Sequence, residues 1–87
     1  MNYGFWVYGA LDRERLAAAL AEMVSVPAES VDVGEDGDED RHWEAPVSCT
    51  LTPLTGELHW HLDIYVSDAV SGTPPEAAAA VWLAGRL

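Results

Sequence analysis

The apolar positions near the start of the chain alternate as they do in a β-strand. Within residues 2–10, apolar side chains fall on both sides of the predicted strand: Tyr3, Phe5 and Val7 on one, Trp6 and Tyr8 on the other. Aromatic residues favour a pleated sheet. Because both sides are apolar, we expect a central strand, or a strand whose second face is also covered.

Helical spacing follows this first alternation. Four apolar residues share one helical face: Leu16, Leu20, Met23 and Val24. Asp12 stands where its carboxylate can accept hydrogen bonds from the first free amides, which predicts an N-cap. The helix should end near Ser25, because Pro27 disfavours helical geometry in the residue before it.

Alternation returns in residues 45–52 and 57–66, which predict two strands joined by a hairpin turn at 53–56. A register with Thr52 opposite Glu57 pairs apolar residues throughout one face: Leu51 with Leu58, Cys49 with Trp60, and Val47 with Leu62. A slip of one residue would place apolar residues opposite polar ones, so the three apolar pairs favour this register. The same register places Ser48 opposite His61.

Residues 29–35 predict a shorter strand, and residues 73–85 predict a second helix. Thr73 as N-cap, Pro74 at the first helical position and Glu76 at the third fit a capping box, and Gly85 can end the helix.

The predicted element order is therefore βαβββα. Each element must bury its apolar side, so we expect a small α+β fold over residues 1–87 as one domain. Its sheet would be an antiparallel or mixed layer of four strands, with two helices on one face. The order approaches a ferredoxin-like arrangement but lacks the closing strand, which would make the fold a variant or leave an edge open for a partner.

Composition adds a strong acidic bias to this picture. The 87 residues hold fifteen Asp and Glu against four Arg and no Lys, giving a net charge of −11. Such a surface repels nucleic acids and anionic membranes, so we expect neither as a partner. The acidity suits either a basic protein partner or simple solubility.

Localisation is predicted from what the sequence lacks. No apolar run approaches the roughly 20 residues of a membrane span. The N-terminus has no basic signal-peptide region, and the single Cys49 cannot form an internal disulfide. These features predict a cytoplasmic protein.

The acidic bias is concentrated in residues 34–44, which predict an exposed loop. Clustered carboxylates attract a cationic surface, and a tryptophan beside them can anchor a complex. The residues predicted to bind a partner are Asp36, Asp38, Glu39, Asp40, Trp43 and Glu44.

The strand at residues 57–66 carries a second candidate site. His59, His61 and Asp63 alternate, so they share the face opposite the apolar residues. Two imidazoles and a carboxylate at this spacing can converge on Zn²⁺. An ordinary solvated strand face has the same pattern, because His-x-His alone is a weak motif.

These observations favour a binding protein without enzymatic activity. Its most concrete form is a toxin-neutralising protein, of immunity or antitoxin type, or another inhibitor of a basic partner. The alternatives are a metal-binding protein that uses His59, His61 and Asp63, and a self-associating domain that forms a homodimer. A Ser48, His61 and Asp63 constellation could support catalysis only with an oxyanion hole and a pocket that excludes water.

Overall fold

A computed structural model describes residues 1–35, 37–39, 41, 42, 44–54 and 59–87, with the backbone alone at His59. The elements are β1 (Asn2–Tyr8), α1 (Arg13–Val24), a 3-10 turn (Ala28–Ser30), β2 (Val31–Glu35), β3 (Val47–Leu54), β4 (His59–Val66) and α2 (Glu76–Ala84). They form the predicted small α+β fold with an open, mixed four-stranded sheet. Its relation to the ferredoxin-like arrangement stays a prediction. In the part of the chain described, neither helix is long and apolar enough to cross a membrane.

The strands lie in the order β1-β4-β3-β2. β4 pairs antiparallel with both β1 and β3, whereas β2 and β3 are parallel. β1 is therefore an edge strand, and the expectation that it is central or covered on both faces is wrong. Its outer aromatic residues face solvent, since Trp6 is 65% and Tyr8 is 76% exposed.

One hydrophobic core lies between the sheet and the helices. Leu16 and Leu20 of α1 and Leu83 of α2 are buried in the same cluster as the apolar side chains of β3 and β4. Both helices thus cover one face of the sheet, as the sequence predicts. The indole nitrogen of Trp82 donates to the carbonyl oxygen of Ala19 at 3.2 Å, which joins α2 to α1.

The boundaries of α1 confirm the predicted capping. The Asp12 carboxylate accepts hydrogen bonds from the backbone nitrogens of Glu14 at 2.9 Å and Arg15 at 3.2 Å. At the other end, Ser25 adopts a left-handed conformation with φ of 58° and closes the helix. A left-handed C-terminal residue satisfies carbonyls that the helix leaves unpaired.

The predicted β3–β4 register is wrong by four residues. Leu51 lies opposite Leu62, and Cys49 lies opposite Ile64. The strand continues through Pro53 and Leu54, so the chain does not turn there; the rest of the predicted turn lies outside the described residues. A shift by an even number leaves the same residues on each face, which is why the apolar pattern agreed with the wrong register. The observed pairing brings the buried Ile64 and Val66 against β3.

The predicted start of α2 is also wrong. The helix begins at Glu76, and Thr73 does not cap it. Thr73 instead lies close to the side chain of Tyr3, whose hydroxyl donates to the carbonyl oxygen of Pro74. Burial and the charge of Glu76 raise the pKa of Tyr3, so this hydroxyl stays protonated and able to donate.

Replacing Tyr3 with Phe should therefore destabilise the fold by about 1 kcal/mol, the usual net value of a buried hydrogen bond. For a domain of this size the midpoint of thermal unfolding should fall by about 4–8 °C. Tyr65→Phe is the matched control, because Tyr65 is 48% exposed. Equal midpoints for the two variants in a calorimetric scan would contradict the assignment.

Candidate functional site: an acidic segment anchored to the open sheet face

The parallel pairing of β2 and β3 dictates where the acidic segment runs. Val31 lies beside Val47, and Glu35 lies beside Leu51. The chain leaves β2 at Glu35 and must return over about 13 Å to enter β3 at Val47. Parallel neighbours always need such a crossover connection. Here the connection is residues 36–46, which include most of the predicted acidic loop.

A buried arginine ties this connection to the sheet. The Arg41 side chain is 2% exposed, and its Nε lies 2.6 Å from an Asp32 carboxylate oxygen. Its two terminal nitrogens donate to the hydroxyls of Thr50 and Ser48, both at 3.3 Å. These partners project from β2 and β3 on the face away from the helices. Arg41 therefore lies flat across two strands and neutralises a carboxylate that is itself only 11% exposed.

Gly34 leaves the space that Arg41 occupies. A Cβ atom at this position would lie 2.7 Å from Cδ of Arg41 and 2.9 Å from a carboxylate oxygen of Asp38. The terminal Nη1 of Arg41 also donates to the carbonyl oxygen of Gly34 at 3.2 Å. The absence of a side chain in the middle of β2 is thus a steric requirement of the anchored arginine.

A second arginine joins the acidic segment to α1. Arg13 lies 2.9 Å from a carboxylate oxygen of Glu35 and 3.4 Å from one of Asp38. Asp38 also accepts a hydrogen bond from the backbone nitrogen of Glu35 at 2.8 Å. Both ion pairs are partly exposed, so each contributes at most about 1 kcal/mol. Together with Arg41, these contacts attach Glu35 and Asp38 to α1 and the sheet.

The predicted partner-binding residues divide into two groups. Asp38, Glu39 and Glu44 are exposed, as expected. The other three, Asp36, Asp40 and Trp43, lie outside the described residues. Asp38 is engaged by Arg13 and the Glu35 amide, which leaves Glu39 and Glu44 as the exposed carboxylates of this segment without an ion pair among the described residues.

The histidine face of β4 differs from the prediction in its neighbours. His61 lies opposite Thr52, and its ring contacts Trp6 edge-on, with ring centroids 4.8 Å apart. Asp63 is exposed and lies opposite Thr50. Within the described residues, no three His, Cys, Asp or Glu side chains are grouped as metal ligands would be. The side chain of His59 lies outside that description, so zinc binding by His59, His61 and Asp63 stays a prediction.

The predicted contact of Ser48 with His61 is wrong. Ser48 lies opposite Tyr65, whereas His61 lies opposite Thr52. Ser48 and Thr52 are four residues apart on β3, or about 13 Å. Ser48 is also 5% exposed and bound by Arg41. Its hydroxyl is part of the arginine site and is not positioned beside a base.

Cys49 is fully buried beneath the arginine site, on the core face of β3. Burial raises the pKa of its thiol to about 12, although the nearby charge of Arg41 acts in the opposite direction. The thiol therefore remains neutral at physiological pH and behaves as a small apolar side chain.

Sequence reasoning missed Arg41, the residue that organises this site. Two signals were present: a lone arginine among seven carboxylates in residues 32–44, and a glycine inside a predicted strand. A glycine in a strand often marks a close approach by another group. Neither signal identifies Ser48 and Thr50 as partners, because Arg41 reaches them only when the connection folds back over β3.

Gly34→Ala should destabilise the protein by about 1–3 kcal/mol, because the added methyl group overlaps Arg41 and Asp38. Gly4→Ala is the matched control. It is also a strand glycine, and its added Cβ would lie 3.6 Å from His61, an ordinary contact. The control should be neutral or stabilising by up to about 1 kcal/mol. Equal urea midpoints for the two variants would refute the steric role of Gly34.

Cys49 should make stability fall in alkaline solution. The pKa of the thiol is near 9.0 when exposed and about 12 in the fold. A raised folded pKa means that the stabilisation is complete below pH 9 and is lost as the pH rises toward 12, at about 1.4 kcal/mol per pH unit. Cys49→Ala should remove this slope from urea unfolding curves measured between pH 9 and 11. Tyr3 also lowers stability at high pH, but it does so equally in both proteins. Parallel plots of unfolding free energy against pH for the two proteins would therefore contradict the prediction.

Comparisons with known proteins leave this description as it stands. The chain matches no protein-family model, and neither the curated proteins nor the solved structures give a significant match. The case for a function therefore rests on the site itself.

Proposed function

We propose that this chain is a small acidic binding module that engages a basic protein, as a toxin-neutralising protein of immunity or antitoxin type or as another inhibitor. One observation carries the proposal: the acidic connection between β2 and β3 is fixed to the sheet by the buried Arg41. The anchor holds the acidic connection against the sheet, where its exposed carboxylates can meet a partner.

Anchoring favours binding because Arg41 and Asp38 are held in place before the partner arrives. Ordering a free loop on association costs conformational entropy, and a preorganised surface avoids part of that cost. The hydrogen bonds of Arg41 to Asp32, Ser48 and Thr50 fix the middle of the connection, and Arg13 fixes its start.

Charge favours a basic partner in particular. Seven of the fifteen acidic residues fall between residues 32 and 44. Asp32 is internally neutralised, but Glu39 and Glu44 are exposed. Clustered carboxylates raise the rate of encounter with a cationic surface and disfavour anionic competitors.

The experiment begins with untagged protein captured from its own source and chemically crosslinked to its partner, which is then identified by mass spectrometry. Binding of the purified partner is next measured by titration calorimetry at low and physiological salt. Glu39→Gln combined with Glu44→Gln should weaken binding by about tenfold, and its salt dependence should decrease.

Glu22→Gln combined with Glu29→Gln is the matched control, because it removes two exposed acidic charges outside the connection, one near the end of α1 and one in the 3-10 turn. It should leave affinity within about twofold of the parent. Equal losses in both double variants would show that only net charge matters, and a partner that is not basic would overturn the proposal.

A further inference from the structure

The free edge of β1 lacks the features that normally protect a strand from pairing. Residues 1–11 contain no charged side chain and no proline, and β1 runs unbroken for seven residues. Natural edge strands are usually short, charged, bulged or covered. In the described part of the chain, β1 pairs only with β4, so alternate backbone groups along its other side face outward.

The opposite edge of the sheet is occupied at the end of β2. The backbone nitrogen of Glu35 in β2 donates to the Asp38 carboxylate at 2.8 Å, and the carbonyl oxygen of Glu35 accepts from the backbone nitrogen of Asp38 at 3.1 Å. Carboxylates surround this edge, and the connection to β3 is anchored against it. The two edges of one sheet therefore differ in charge, in cover and in free hydrogen-bonding capacity.

An apolar groove lies directly beneath β1. It has a volume of about 500 Å³ and runs between the strand and the two helices, where its lining is mostly apolar (Phe5, Val7, Leu11, Leu83 and Leu87) and its two charged residues, Asp12 and Arg15, are opposite in sign. The nearby helix α2 is apolar on its outer side as well, since Val81 is 76% exposed. A helix that is apolar all round is normally buried against another surface.

We infer that β1 pairs antiparallel with β1 of a second copy of this chain, about a two-fold axis, to form one continuous eight-stranded sheet. Two identical strands can pair antiparallel about such an axis, because each copy presents the same surface to the other. The groove beneath each strand then receives apolar side chains from the copy. This inference does not depend on the function proposed for the acidic segment.

The distribution of charge identifies a second copy as the occupant. Two chains of net charge −11 repel each other unless they meet where each is uncharged. Joined through β1, the two β2 edges lie seven strand spacings apart, or about 34 Å, which is several times the Debye length of about 8 Å in physiological salt. A basic partner would be drawn to the acidic edge and would gain little from the neutral one.

The test is the mass in solution of untagged protein, measured by sedimentation velocity over a wide range of concentrations. A dimer is expected, and Trp6→Glu should weaken it by about tenfold or more, because each copy then places a like charge within the short strand pair. Tyr65→Glu is the control: it introduces the same charge on the same open face, but on β4, one strand inward from the edge. Circular dichroism checks that both variants remain folded.

Hydrogen exchange supplies a second measurement. Its expected pattern, in which alternate amides of β1 lose protection, differs from the general loss of protection in a destabilised variant. In a β1–β1 dimer, successive amides of residues 2–8 should all be protected, whereas in Trp6→Glu at low concentration alternate amides should exchange rapidly. A parent chain that stays monomeric at every concentration would overturn the inference. So would a dimer that Tyr65→Glu weakens as much as Trp6→Glu, or a monomer that carries a bound small molecule in the groove.

Discussion

The ion pair of Arg41 with Asp32 is the constraint on which the rest of this structure depends. A buried carboxylate is stable only when it is paired and hydrogen-bonded, and Arg41 is the cation that reaches Asp32 in the described residues. To do so, the connection after β2 must fold back over the open sheet face. That requirement explains Gly34 beneath the guanidinium and the two hydroxyls on β3 that accept hydrogen bonds from it.

The same constraint divides the molecule into two chemically different sides. At the β2 edge, an arginine holds carboxylates in place and satisfies backbone groups of the strand. At the β1 edge, the aromatic residues Trp6 and Tyr8 stand in solvent above an apolar groove. Charged groups are concentrated at the β2 edge, and apolar groups are exposed at the β1 edge. One small chain therefore presents one surface suited to electrostatic contacts and one suited to apolar contacts.

Local patterns predicted the strands, both helices and the cap at Asp12, because these depend on residues close together in the chain. They failed where a distant residue decided the outcome. Thr73 has the sequence context of an N-cap, but it lies beside Tyr3, seventy residues away. The apolar alternation has a period of two, so it excludes a shift of β3 against β4 by an odd number of residues. It does not exclude a shift by an even number. Arg41 was missed because Ser48 and Thr50 become its partners only through the parallel β2–β3 pair.

The contrast between the two sheet edges also limits how far the sheet can be extended. Pro53 adds to this limit, because it lies on β3 beyond the last residue paired with β2 and has no amide proton to offer another strand there. A sheet with two open edges can add subunits without end and become a fibre. Because Asp38 occupies the end of the β2 edge, strand pairing is directed to β1, and edge-to-edge growth that uses β1 alone ends at two chains.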